Sequence, residues 1–188
     1  QGNWSNEPVN ITLEPYDQDD VVLGVMSGVA NTYYCIGDAC NPNISGTELL
    51  INTDGLTILR YFSTDFAGNN EEVKEEIIYY DSVAPIVFVE NIETTTLGKS
   101  IELEGDIWKT NDDLITITGS FSENNIYKIY QSTNSDNQAD ILSDSSFSID
   151  ISLSYNQLIN ITLIIEDLAG NIANEIVQIN MDPYGPVI

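Results

Sequence analysis

The sequence of 188 residues predicts an all-β protein made of two tandem β-sandwich domains. Three observations lead to this prediction: segments that recur along the chain, short runs in which apolar and polar residues alternate, and turn-forming residues every ten or so positions. No stretch keeps the three- and four-residue apolar spacing of an amphipathic helix over three turns. The elements that follow are therefore interpreted as strands and turns.

Three marker segments define the repeat. The pattern Asp-apolar-Ala-Gly-Asn occurs at residues 65–69 and again at residues 167–171, 102 positions later. Residues 81–87 match residues 182–188 at a spacing of 101, and residues 4–12 match residues 108–116 more loosely at a spacing of 104. Three markers in one order at nearly one spacing indicate an internal duplication.

A repeat of this length with about seven short strands has the size of an immunoglobulin-like sandwich. We predict one such domain at residues 1–84, a second at residues 85–182, and the start of a further strand or a donor strand at residues 183–188. Alternating apolar residues predict half-buried strands in both domains. They are Val9, Ile11 and Leu13 in the first domain, and Phe147, Ile149, Ile151, Leu153, Val177, Ile179 and Met181 in the second.

The Asp-apolar-Ala-Gly-Asn pattern is typical of a turn, here between the last two strands of each domain. In such a turn the aspartate carboxylate accepts N–H groups, glycine adopts a positive φ, and asparagine tolerates one. The turn residues are Asp65, Gly68 and Asn69 in the first domain and Asp167, Gly170 and Asn171 in the second.

Acidic loops raise a second hypothesis, calcium binding. Asp17, Asp19 and Asp20 follow the first predicted strand, and we expect the turn with Asp65 and Asn69 at the same end of the sandwich. Oxygen ligands from two loops suit Ca²⁺, which takes six to eight of them. Calcium is the one cofactor that the sequence points to, and solvated acidic loops are the alternative interpretation.

The charge pattern excludes several classes of partner and activity. The chain has 30 acidic and five basic residues, a net charge of -25 and no histidine. Nucleic acid and anionic lipid would be repelled by this surface, and no apolar run is long enough to span a bilayer, so we expect no direct membrane insertion in this segment. Without histidine, Ser-His-Asp and Cys-His nucleophiles and His-ligated zinc are excluded, and we expect no enzyme activity.

Cysteines and glycosylation sequons both point to the outside of a cell. Cys35 and Cys40 have the spacing of a disulfide across a tight hairpin, while two thiolates without a second ligand pair leave a zinc site incomplete. The chain carries four N-glycosylation acceptor sequences, and N-linked glycans are the expected partners. The acceptor residues are Asn3, Asn10, Asn43 and Asn160.

The repeat is asymmetric where the two domains begin. Residues 85–107 precede Trp108 in the second domain, whereas three residues precede Trp4 in the first, so we predict that the first domain lacks its first strand. A sandwich without an edge strand leaves backbone unpaired, and a strand from a neighbour would cover it. Either the sequence is a window on a longer tandem array, or copies complete each other head to tail as an open filament. In the second case the interface residues are Gly185, Pro186, Val187 and Ile188.

Residues 61–71, Tyr-Phe-Ser-Thr-Asp-Phe-Ala-Gly-Asn-Asn-Glu, resemble the last hairpin of immunoglobulin-like repeats in large archaeal and bacterial cell-surface proteins. The segment from Thr32-Tyr-Tyr-Cys35 to Cys40 is similar to archaeal versions in particular. The resemblance implies an extracellular, cell-surface setting. Two functional hypotheses follow: structural repeats of a surface filament, sheath or stalk, and an adhesin or accessory binding repeat, for which an exposed aromatic patch in a concave site would be the sign.

Overall fold

The computed structural model describes residues 3–17, 27–154 and 157–184. The chain divides into two compact units, residues 1–82 and 83–188, two positions before the predicted domain boundary. All regular secondary structure in the described ranges is β-strand. The protein is all-β, with two tandem immunoglobulin-like β-sandwich domains, as the sequence predicts. The described residues include no helix that is long and apolar enough to cross a membrane.

The described strands of unit 1 form two sheets. Its described strands are β1 (Trp4–Ser5), β2 (Val9–Thr12), β3 (Val29–Ile36), β4 (Ile44–Ser45), β5 (Glu48–Ile51), β6 (Gly55–Asp65) and β7 (Lys74–Tyr80). Five strands form one sheet in the order β1-β7-β6-β3-β4, and β2 and β5 form the other. Strand β1 runs parallel to β7, with Trp4 opposite Tyr79.

Unit 2 also consists of two sheets, with longer strands. Its described strands are β8 (Val87–Thr94), β9 (Ile101–Glu104), β10 (Ile107–Thr110), β11 (Leu114–Phe121), β12 (Ile126–Gln131), β13 (Asn134–Gln138), β14 (Asp140–Ile141), β15 (Ser146–Ser152), β16 (Gln157–Asp167) and β17 (Ile172–Met181). The sheet orders are β13-β12-β16-β17-β10-β9 and β14-β15-β11-β8. Trp108 of β10 lies in a parallel pair with β17, so it has the same place in unit 2 that Trp4 has in unit 1.

The core of unit 2 lies between its two sheets. Because side chains alternate along a strand, every second residue of β11, β15, β16 and β17 faces inward. Burial of each such aliphatic side chain contributes about 1.5–3 kcal/mol. The residues with no measurable exposure are Ile115, Ile117, Ile129, Ile151, Leu163, Ile165 and Ile179.

The core of unit 1 is smaller. Its buried apolar residues among those described are Cys35, Ile51, Leu59 and Tyr80. Ile11 of β2 is only half-buried, whereas Ile115, which aligns with it in the repeat, is completely buried. The difference follows from the number of strands that cover each position.

Candidate functional site

The first candidate site is one edge of β2. Among the residues that the structure describes, β2 pairs with β5 alone, in the register Val9 to Ile51. Its counterpart in unit 2, β11, pairs with β15 on one side and with the eight-residue strand β8 on the other. The side of β2 that corresponds to the β8 side of β11 therefore has no partner strand in the described part of unit 1. We call this side the open edge of β2.

Backbone groups at the open edge can be assigned from the alternation of an antiparallel pair. The N–H of Leu13 donates to the carbonyl of Thr47 at 2.7 Å, so the N–H groups of Ile11 and Val9 also face β5. Those of Asn10 and Thr12 face the open edge. In unit 2 the carbonyl of Leu114, which aligns with Asn10, accepts the N–H of Thr95 at 3.3 Å. Unpaired groups of this kind are a template for an added strand.

The second candidate site is the polar interior of unit 1. Thr32 pairs with Ser63 across β3 and β6, and the corresponding pair in unit 2 is Ile129 with Ile165. The correspondence is fixed by the turns, because Ser63 precedes Asp65 by two residues, as Ile165 precedes Asp167. Thr32 is only 5% exposed, and its hydroxyl lies 3.0 Å from the hydroxyl of Ser63. A partly buried hydroxyl pair thus stands where unit 2 has two buried isoleucines.

A cleft of about 540 Å³ opens beside this hydroxyl pair. Its lining includes residues 12–17 together with Val29, Thr32, Tyr61 and Ser63. Tyr61 stands where unit 2 has the buried Leu163, since both precede the turn aspartate by four residues. The interior substitutions all replace an aliphatic residue by one with a hydroxyl group. We call this space the unit 1 cleft.

Glu71 and Lys74 form an ion pair at the rim of the unit 1 cleft, with 2.6 Å between carboxylate and ammonium. Glu71 also accepts the N–H of Ser63 at 2.8 Å. Burial raises the pKa of Glu71, but the hydrogen bond and charge of Lys74 together with the Ser63 N–H outweigh it, so the pKa is lowered. The hydrogen bond to Glu71 raises the pKa of Lys74. Both groups are therefore charged and mutually compensated at neutral pH.

The turn segments have nearly the same hydrogen bonds in both units. Asp65 accepts the N–H of Asn69 at 2.7 Å through one carboxylate oxygen and the Asn69 side-chain amide at 2.7 Å through the other. Asp167 accepts the corresponding groups of Asn171 at 2.9 and 2.8 Å. Gly68 and Gly170 have φ of 89° and 90°, a region that favours glycine. The hydrogen bonds from Asn69 lower the pKa of Asp65.

The structure describes only some of the residues that the sequence predicts as calcium ligands. Asp17 and Asp65 both line the unit 1 cleft, and Asp17 accepts the N–H of Gly28 at 2.7 Å and the hydroxyl of Ser27 at 3.2 Å. Asp19 and Asp20 lie outside the described residues. Within the described ranges, no group of three or more Cys, Asp or Glu is arranged to hold a metal ion. Calcium binding stays a prediction.

The disulfide predicted between Cys35 and Cys40 is present, with the two Cα atoms 6.2 Å apart. Arg60, which lies opposite Cys35 on β6, donates a hydrogen bond from Nη1 to the carbonyl of Cys40. The same guanidinium pairs with Glu75 at 3.5 Å. The only arginine of the chain thus fixes the disulfide loop to the sheet.

The four sequon asparagines Asn3, Asn10, Asn43 and Asn160 are all exposed. Asn10 lies on β2, and Asn160 lies on β16, where its amide oxygen accepts the side-chain amide of Gln178 at 3.0 Å. Gly185, Pro186, Val187 and Ile188, predicted as interface residues, lie outside the described residues.

The unit 1 cleft was not predicted from the sequence, although the sequence contains a signal for it. When the two copies of the turn motif are aligned, Ser63 falls on Ile165 and Tyr61 falls on Leu163. Residues with hydroxyl groups at positions that are aliphatic in the other repeat indicate that the interior of unit 1 is partly polar. Thr32 could not be found in this way, because it requires the pairing register of β3 with β6.

No protein-family model matches the chain, and no curated protein matches it in sequence. Similar solved structures include the fibronectin(III)-like modules of Clostridium thermocellum CbhA, at 12% identity over 96% of this chain and 88% of that one, with a TM-score of 0.41. The D00-D0 domain of intimin matches at 10% identity over 94% of each chain, with a TM-score of 0.36. The human desmocollin-1 ectodomain matches at 13% identity over 97% of this chain and 34% of that one, with a TM-score of 0.30. Similarities at this level carry no argument about activity, and the strand order of the two units is what assigns the chain its immunoglobulin-like fold.

Proposed function

We propose that this chain is a structural repeat unit of an extracellular surface filament, sheath or stalk. In this proposal a strand from a second copy completes unit 1 by pairing with the open edge of β2. The observation that carries the proposal is the contrast between β2, with one described partner, and β11, with two. Repetition of such a head-to-tail contact produces an open filament.

An extracellular cell-surface location is part of the proposal. A disulfide persists in oxidising compartments, and four exposed sequons are available for N-linked glycans. The net charge of -25 disfavours nucleic acid and anionic membranes as partners. The proposal assigns the chain no catalytic role and no membrane insertion in this segment.

Strand addition would stabilise unit 1 in two ways. Each new backbone hydrogen bond contributes about 0.5–1.5 kcal/mol net. The incoming strand would also flank Ile11 and Leu13, which are half-buried, while the aligned Ile115 and Ile117, on a strand flanked by β8 and β15, are completely buried. We propose residues 183–188 as the start of the donor strand, because residues 186–188 match residues 85–87, which lead into β8.

The experiment compares the association of four proteins made without glycans: the full 188-residue chain, a chain of residues 1–182, and the variants Thr12→Pro and Thr12→Ala. Proline removes the N–H that faces the open edge, whereas alanine keeps it. Sedimentation velocity measures association, and electron microscopy shows its form.

We expect the full chain and Thr12→Ala to form head-to-tail oligomers, and the shortened chain and Thr12→Pro to remain monomers with native circular dichroism. At a protein concentration of roughly 100 μM, a contact with a Kd of about 100 μM or lower would be occupied in a large share of the molecules. A full chain that stays monomeric at this concentration would contradict the proposal. Association of Thr12→Pro equal to that of Thr12→Ala would contradict it as well.

The alternative function is an adhesin or accessory binding repeat of a secreted surface protein, with Ca²⁺ as a hypothetical cofactor. The unit 1 cleft is the observation that favours it, because Tyr16 stands 84% exposed on its wall.

A further inference from the structure

The interior of unit 1 has hydroxyl-bearing residues at positions where the interior of unit 2 is aliphatic. Three positions that are completely buried and aliphatic in unit 2, Ile129, Leu163 and Ile165, are hydroxylated residues in unit 1. Replacement of aliphatic core residues by polar ones lowers the stability of the folded state. Departures of this kind are expected at functional sites.

The space beside these residues has the dimensions of a ligand site. Its volume of about 540 Å³ falls within the range of roughly 300–1,000 Å³ that is usual for small-molecule pockets. Thr32, Ser63 and Tyr16 are all among its lining residues, and the hydroxyls of Thr32 and Ser63 lie 3.0 Å apart. Hydroxyl groups both donate and accept hydrogen bonds, and a tyrosine ring offers an apolar face with a polar tip.

Anionic ligands fit the unit 1 cleft poorly. The carboxylate oxygens of Asp65 are occupied by Asn69, and those of Glu71 by Ser63 and Lys74. Lys74 is compensated by Glu71, so it offers no free positive charge for an anion, and the net charge of -25 repels anions from the chain as a whole. Glu14 and Asp17 also line the cleft, so the lining offers carboxylate and hydroxyl oxygens for hydrogen bonding beside an aromatic face.

We propose that the unit 1 cleft binds a neutral saccharide, with Thr32 and Ser63 hydrogen-bonding to its hydroxyl groups and Tyr16 or Tyr61 stacking on a sugar ring. The saccharide site and the proposed strand contact share one residue, Thr12. The open edge is formed by the backbone of β2, which ends at Thr12, and Thr12 is the residue of β2 that lines the cleft. Either proposal can fail without the other.

The test is calorimetric titration of the glycan-free full chain with four probes: hexasaccharides of β-linked glucose, of β-linked mannose and of N-acetylglucosamine, and an acidic hexamer of galacturonate. Calcium chloride alone is a fifth titrant. We expect at least one neutral hexasaccharide to bind with a Kd of about 1 mM or tighter. Amide chemical shifts of Thr32 and Ser63 should change on its addition.

Variants localise the binding. Ser63→Ile introduces the residue that unit 2 has at this position and should weaken binding at least tenfold, while Ser135→Ile, at an exposed position of β13 in unit 2, should leave the Kd unchanged. Thr32→Val keeps the shape of the side chain and removes a hydroxyl that the proposal assigns to the sugar, so it provides a second measurement if Ser63→Ile does not fold. The proposal is overturned if no neutral hexasaccharide binds, if galacturonate or calcium is the only probe that binds, or if the Kd is the same in the wild type and both cleft variants.

Discussion

Asp65 and Asp167 close turns with the same pattern of hydrogen bonds in different surroundings. Asp167 is 1% exposed, whereas Asp65 borders the unit 1 cleft and its bonds to Asn69 are solvent-accessible. An N–H group that loses its acceptor can bind water at an exposed site but stays unsatisfied when it is buried. The same substitution should therefore have unequal effects in the two units.

Asp167→Ala should lower the free energy of unfolding of unit 2 by about 1–3 kcal/mol, because the N–H groups of Ala169 and Asn171 lose their acceptor. Asp65→Ala is the matched control and should have a smaller effect on unit 1. Urea unfolding with a spectroscopic probe in each unit measures both. Equal losses in the two units would contradict this explanation.

The buried carboxylate of Asp112 predicts how the stability of unit 2 changes at acidic pH. Asp112 is completely buried, and its burial raises its pKa, but the N–H and hydroxyl of Thr96, the N–H of Leu114 and the charge of Lys99 outweigh this, so the pKa is lowered. A group with a lowered pKa in the folded state contributes stability above its unfolded value of about 3.9. That contribution is lost as the pH falls through the folded value.

We expect the free energy of unfolding of unit 2 to decrease below about pH 4, and Asp112→Asn to remove part of this dependence. The variant should also be less stable at neutral pH, since an amide replaces one of the acceptor oxygens by a donor. Asp106→Asn, on an exposed turn, is the control and should keep the wild-type profile. An unaltered pH profile in Asp112→Asn would show that Asp112 does not carry the effect.

At the scale of strands, the sequence predicted the alternating residues of β2, β15 and β17 and the turns that follow β6 and β16. Alternation shows which residues share a face, but it contains no information about the strand on the other side of an edge. The one-sided pairing of β2 therefore required the structure. The pairing of β4 also required the structure. This strand pairs with β3 in the five-stranded sheet and places Ser45 opposite Tyr33.

A β-bulge between Thr118 and Gly119 shows a further limit of sequence reasoning. The register of β11 against β8 shifts there, and a Cβ atom on Gly119 would lie 2.0 Å from the carbonyl oxygen of Phe88 and 2.7 Å from the ring of Phe147. In the sequence Gly119 is an isolated glycine in a strand, and its two neighbours in space belong to different strands. Its requirement for glycine is visible only when the sheet is assembled.

Gly119→Ala should lower the free energy of unfolding of unit 2 by about 1–3 kcal/mol or more, because the methyl group overlaps backbone that is held by β8. Thr118→Ala, at the other side of the bulge, should cost less than the glycine substitution. The midpoint of urea unfolding measures the difference. A Gly119→Ala variant as stable as wild type would contradict the close approach of β8 and β11.

At the scale of the whole molecule, the duplication was readable because its markers are turns and parallel-strand starts, which tolerate few residue types. Among the described residues, fewer apolar side chains are buried in unit 1 than in unit 2. Composition did not predict this difference, because burial depends on how the strands pair and not only on how many apolar residues the chain contains. Asp17 and Asp65 both line the unit 1 cleft.

The acidic surface gives the calcium hypothesis a measurable consequence. Raising the sodium chloride concentration should increase the melting temperature by screening repulsion among the 30 acidic residues. If calcium binds at Asp17, Asp65 and Asn69, a chelator at matched ionic strength should lower the melting temperature of unit 1 and leave that of unit 2 unchanged. A melting temperature that depends on ionic strength alone would contradict calcium binding.

Amide hydrogen exchange at aligned positions of β2 and β11 tests the open edge most directly. The N–H of Thr12 faces the open edge, whereas that of Thr116 faces β8; Ile11 and Ile115, whose N–H groups face β5 and β15, are the controls. In a monomeric sample Thr12 should exchange at least about 100-fold faster than Ile11, while Thr116 and Ile115 are both protected, and Thr12 should become protected when copies associate. Protection of Thr12 equal to that of Thr116 in the monomer would mean that the edge is already paired, and would contradict the account.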